Sequence, residues 1–161
     1  MRRVLCCLAA LVTFAAFAQE RELRLPDGEI VRYRLIEDGR DSASSVALQI
    51  LRHLAAGEIA EASALSNAPR RREEVLRDYL ARVGEAEFKR VFARFLEPPN
   101  RIVAEVAVGT RRLIVWRLDA ADGHLAAQYF VETAGQFVTD DVPGPERARL
   151  TQILRAYRTS R

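Results

Sequence analysis

The residues of this chain whose type and spacing could do chemistry lie mainly between 103 and 132. Alternation along three strand-like runs brings Glu105, Val115, Arg117, Gln128, Phe130 and Glu132 to one side of a sheet, mixing charge with apolar bulk. A carboxyl desolvated there has its pKa raised toward neutrality and could act as a general acid or base beside Tyr129 or His53. The same alternation sends Tyr129 to the other side, and an arginine between glutamates on neighbouring strands is more simply a cross-strand ion pair. No residue is therefore assigned a catalytic role. The six residues form a candidate face for a ligand or partner, with Arg117, Glu105, Glu132 and Gln128 as its polar contacts.

Other motifs that would announce a reaction are missing. The sequence has no Gly-rich phosphate loop, no G-x-S-x-G elbow and no histidine pair at metal-ligand spacing. His53 stands beside Leu54 on a helical run, one turn from Ile50, as a helix-flank or pocket-edge side chain; His124 follows Asp122-Gly123 at an exposed turn. Asp140-Asp141 offers far fewer oxygens than the roughly six to eight that calcium takes, so the pair reads as a loop in which Asp141 caps the next helix. Arg70, Arg71 and Arg72, beside Glu73 and Glu74, read as the solvated start of a helix. No metal and no cofactor is expected.

These residues need elements to hold them, and the chain opens with a segment that is not one. Met1-Arg2-Arg3 is followed by an apolar run from Val4 to Phe17, broken at Thr13, and by Ala16-Phe17-Ala18 before Gln19-Glu20. Basic end, apolar stretch and A-x-A site stand in the order of a secretory signal peptide, so residues 1 to 18 are expected to be cleaved. The 14 residues from 4 to 17 fall short of the roughly 20 that cross a bilayer as a helix, which argues against a stable membrane anchor. Residues 19 to 161 then form a single α+β domain, periplasmic or secreted from a bacterium. Both cysteines, Cys6 and Cys7, go with the leader, so the mature domain has neither thiol nor disulfide and stands on its core alone. Two of the 25 basic groups, Arg2 and Arg3, go too, leaving 23 against 22 acidic ones. That balance removes the basic excess a nucleic-acid binder shows.

Period changes along the mature chain divide it into elements. Leu23 and Leu25, then Val31, Tyr33 and Leu35 alternate about Pro26-Asp27-Gly28, which predicts a β-hairpin closed by Asp38-Gly39. Helical spacing follows over 43–56, 58–66, 71–83 and 85–96, with Phe88, Val91, Phe92 and Phe95 as a core stripe of the last. Pro98-Pro99-Asn100 stops it. Strands are predicted at about 101–108, 111–118, 124–133 and 136–139 as an antiparallel meander, and Pro145-Glu146 opens a closing helix.

Sorting the strands by alternation gives a plain face of Ile102, Ala104, Val106 and Val108, Ile114, Trp116 and Leu118, and Leu125, Ala127, Tyr129 and Val131, which must lie on helices. The opposite, mixed face carries the six candidates; the hairpin or the last helix would cover part of it.

A helix broken at Leu54-Ala55-Ala56-Gly57-Glu58, further helices and then a meander, over about residues 43 to 140, resembles the nuclear-transport-factor-two-like or cystatin-like α+β cone. That resemblance implies a sheet wrapped around a pocket closed by helices, in a group holding isomerases, dehydratases, small-ligand binders and partner-binding modules. The hairpin ahead of the first helix departs from the pattern, and no site residue is carried across.

The sequence therefore predicts an exported, non-enzymatic binding module for a small molecule or an exported partner protein, with a homodimer left open. The alternatives are a cone-fold enzyme of the isomerase or hydrolase kind, and an inhibitor or immunity-type protein acting through a loop such as Pro26 to Glu29 or Pro98 to Arg101.

Overall fold

The structure, a computed structural model, describes residues 20–25, 28–36, 42–119 and 124–159. Residues 1 to 18, expected as a signal peptide, and the turns expected at Pro26-Asp27, Asp38-Gly39 and Asp122-Gly123 lie outside the described residues, apart from Gly28.

The fold is α+β. Six antiparallel strands follow one another across one sheet in chain order: β1 (Glu20–Arg24), β2 (Ile30–Leu35), β3 (Arg101–Val108), β4 (Arg111–Arg117), β5 (Leu125–Thr133) and β6 (Gln136–Thr139). Between β2 and β3 run α1 (Ser44–Ala56), α2 (Ile59–Ala64), α3 (Pro69–Val83) and α4 (Glu85–Leu96), and α5 (Pro145–Thr159) follows β6. The predicted hairpin ahead of the first helix thus adds two strands to the meander.

Helix α1 is amphipathic and buries Ala47, Ile50, Leu51 and Leu54. It stops at Gly57, whose φ of 87° is in the left-handed region. Glycine is needed there for its backbone; a Cβ would come within 2.6 Å of Lys89 Cε, the movable end of a flexible side chain of α4. Helix α3 begins at Pro69, a residue whose fixed φ suits the first helical position and whose missing N–H costs nothing there.

Helices cover the sheet on both sides. On one side α1, α2, α3 and α4 bury Ile114, Trp116 and Phe130 together with Ile50, Leu54 and Phe88. Phe95 meets Trp116 edge-on at 5.7 Å between ring centres. On the other, α5 lays Leu150, Ile153 and Leu154 over Val106, Val108, Leu113, Val115 and Leu125, with Val31 and Leu25 of the hairpin at the margin. Each such side chain taken from water contributes roughly 1.5–3 kcal/mol.

The expected plain and mixed faces are not the observed ones. Ile102 lies opposite Trp116 but Ala104 lies opposite Val115, so Val103 is an extra residue in β3. Because side chains alternate with period two, one inserted residue reverses the facing of everything beyond it. Ile102 faces α1–α4, whereas Ala104, Val106 and Val108 face α5. On the next strand Trp116 lies opposite Ala126 and Ile114 opposite Gln128, which puts Leu125, Ala127 and Tyr129 on the α5 side. Both sides are apolar because both are covered.

The hairpin is held differently from the other strands. β1 and β2 pair over five residues, but among the described residues β2 meets β3 only at Arg34↔Ala107 and Leu35↔Val106, with Ile36 N–H donating to Glu105 O just beyond. The remainder runs past the end of β3, with Val31 and Leu25 in the apolar cluster that holds Leu150, Ile153 and Leu154 of α5.

Candidate functional site

The register divides the six candidate residues. Glu105, Gln128 and Phe130 face α1–α4, with Glu132 on the same row at the exposed end of β5; Val115 and Arg117 face α5. Phe130 and Val115 are core, 1% and 2% exposed.

Glu105 is 5% exposed, and the chain itself supplies its partners. It accepts hydrogen bonds from Ser42 Oγ at 2.6 Å and from the Ala43 N–H at 2.8 Å, while Arg112 Nε lies 3.9 Å away. The Ala43 N–H stands just ahead of α1, where backbone donors lack helical acceptors. A carboxylate from the sheet thus anchors the start of the first helix. Gln128 has a comparable task, its Oε1 accepting the indole N–H of Trp116 at 3.0 Å.

Arg117 does not form the expected cross-strand pair with Glu105 and Glu132. Those glutamates lie opposite Ile114 and Phe137, whereas Arg117 lies opposite Arg101 on β3 and Leu125 on β5. The extra residue at Val103 moves Glu105 off the side on which Arg117 stands, and the β4–β5 register, with Arg117 opposite Leu125, puts Glu132 on the other side as well. Arg101 is exposed and Arg117 half-buried, and no carboxylate pairs with either among the described residues. Here two parts of the sequence reading meet, because Arg101 ends the Pro98–Arg101 loop. Arg158, in the last turn of α5, donates from Nη2 to Leu125 O at 2.7 Å and brings a third cation to this end of the sheet.

The densest polar cluster was not anticipated. Asp140, 1% exposed, accepts from Asn67 Nδ2 at 2.9 Å and from Arg111 Nε at 2.8 Å. Arg111 continues to Glu146 at 2.8 Å, and its guanidinium is held above the ordinary value by the hydrogen bond to Asp140 first and that to Glu146 next, against the opposing effect of burial. Asp141 accepts from Arg72 at 3.0 and 3.1 Å and from Ser66 Oγ at 2.6 Å, and its N–H donates to Asn67 Oδ1 at 2.8 Å. Arg147 donates to Asp140 O at 2.6 Å and lies over the Tyr129 ring, 4.9 Å from its centre. The carboxylate of Asp141 therefore fastens the loop before α3 instead of capping α5, whose first residue is Pro145. Arg72 likewise differs from the exposed Arg70 and Arg71 beside it. The sequence signal was faint: small polar residues directly after α2 and directly after β6, whose partnership spans more than seventy positions. Among the described residues no group of three or more His, Cys, Asp or Glu could hold a metal ion.

One histidine is chemically poised. His53 Nδ1 lies 2.7 Å from Glu58 Oε2, and Nε2 lies 3.5 Å from the Gln49 amide nitrogen. The bend at Gly57 brings Glu58 back to the helix that carries His53. A carboxylate on Nδ1 fixes the neutral ring in the tautomer whose Nε2 can accept a proton. His124 is exposed, as its turn position predicts.

The chain is thus an α+β protein with its sheet between two helical layers and, at one end, an arginine couple that no carboxylate of the described residues pairs. Compared with known proteins, it matches no protein family, no curated protein and no solved structure.

Proposed function

We propose that this chain is an exported, non-enzymatic binding module that takes up a small molecule or a partner protein where β3 begins and β4 ends. The carrying observation is a contrast among arginines. Arg72, Arg111 and Arg147 each meet a carboxylate, a carbonyl or a ring of the chain, whereas Arg117 meets another arginine. A charge that no carboxylate of the described residues neutralises is available to something outside the fold. Export, to the periplasm or beyond, rests on the signal-like order of residues 1 to 18. No helix of the described residues is long and apolar enough to cross a membrane. The order of helices and strands supports kinship with the nuclear-transport-factor-two-like or cystatin-like cone.

Native mass spectrometry of the chain recovered gently from the exported fraction of its host tests the reading. A mass above that of residues 19 to 161, lost in an Arg117→Ala variant, is the expected result. A bare chain with no companion, identical in wild type and variant, would sink the proposal.

The His53–Glu58 contact favours one second reading, an enzyme of the isomerase or hydrolase kind using Nε2 as a base. It requires His53 to react with diethyl pyrocarbonate faster than the more exposed His124. Slower reaction at His53 removes that reading.

A further inference from the structure

We infer that Arg101 and Arg117 together bind a compact, doubly charged oxyanion of the phosphate monoester class. The inference rests on the binding reading and names the chemistry of what is bound.

Residues directly opposite on antiparallel strands have Cα atoms about 5 Å apart and side chains on one side of the sheet. Arg101 and Arg117 are such a pair, and like charges so placed repel. Among the described residues no carboxylate offsets that repulsion. The neighbours of Arg117 on its own side are Leu125 across the strand and Val115 along it, both buried and apolar. Asp119 follows closely in sequence, but its N–H is tied to Asn100 Oδ1 at 2.5 Å, and no ion pair joins it to either arginine. Arg158, held on Leu125 O, adds positive charge at the same end.

Guanidinium groups are planar forks that grip oxyanions through two parallel N–H donors each. Two forks one strand spacing apart converge on a single group more readily than on two separated ones. Two unit charges are balanced by a dianion, which selects a phosphate monoester over a lone carboxylate. That group could come from a soluble ester or from a lipid headgroup, and the two sources are separable by experiment.

The test is thermal unfolding of the mature chain in chloride and in inorganic phosphate at matched ionic strength. Phosphate should raise the melting temperature of wild type with saturation, because a ligand that binds only the folded state stabilises it by mass action. Arg117→Gln and Arg101→Gln should each weaken the apparent phosphate affinity about tenfold or more, the worth of one charge-assisted contact. In chloride both variants should melt above wild type, since each removes a repulsion. Arg149→Gln, distant from the pair, should respond to phosphate as wild type does. An equal phosphate response in all four proteins, or melting of both site variants below wild type in chloride, overturns the site. Sedimentation with phosphatidic acid vesicles in phosphatidylcholine, lost in Arg117→Gln, assigns the lipid source; a phosphate response without sedimentation assigns the soluble one. A chain that retains a companion in native mass spectrometry yet ignores phosphate overturns the oxyanion assignment while leaving the binding reading in place.

Discussion

The two edges of the sheet are finished in opposite ways. Along β6 lies the segment after α2: Thr139 N–H donates to Leu65 O at 2.7 Å, Asn67 N–H donates to Thr139 O at 3.0 Å, and Ser66 bridges Thr139 in parallel. Asp140 and Asp141 then lock that segment to β4 and α3 through arginines. Along β1 no further strand stands among the described residues, and the edge presents Glu20, Arg21, Glu22 and Arg24 to solvent. Unpaired strand edges invite foreign strands, and proteins counter this by covering them or by charging them. This sheet does each once. The covered edge is secured by directional polar contacts, the charged one by the burial of Val31 in the apolar cluster that holds Leu150, Ile153 and Leu154 of α5.

Substitutions can break that contrast. Asp140→Ala should have the largest effect, about 3–5 kcal/mol in chemical denaturation, because it strips a buried carboxylate from Arg111 and Asn67. A loss below about 1 kcal/mol would mean that backbone pairing alone closes the edge. Val31→Ala should cost about 2 kcal/mol through lost burial against α5, since Val31 is 1% exposed. An effect as small as that of a surface substitution would show that the hairpin is held by its polar contacts instead. Arg149→Ala should be smallest, within about 0.5 kcal/mol, because its 3.3 Å pair with Glu29 is about half exposed on both sides. If it exceeded Val31→Ala, the apolar account of the hairpin would fail.

Much of the architecture is legible in the sequence. Prolines, glycines and period changes locate all five helices, and β3 and β6 begin and end where alternation predicts. What alternation misjudges is the phase between strands. From Ile102 to Val108 every residue except Glu105 is apolar, so a strand buried on both sides carries no polar marker to betray an extra residue at Val103. Glu105 looked like such a marker and is instead the buried anchor of α1. The Arg101–Arg117 couple was hidden for the same reason, since only the shifted register sets the two opposite each other. The Asp140 network escaped because its donors come from three separate stretches of chain that only the folded sheet brings together.

The helix that covers Val106, Val108, Leu113 and Val115 is made after the whole sheet it covers. Until residues 145–159 have emerged, the meander has a cover on one side only, and its second apolar surface is open to any neighbour. A message or proteolytic cut that ended the chain near Gly144 would leave the helical layer of α1–α4 in place but produce a sticky, one-sided sheet. The order of synthesis thus makes the emergence of residues 145–159 the step at which the second apolar surface of the meander is closed.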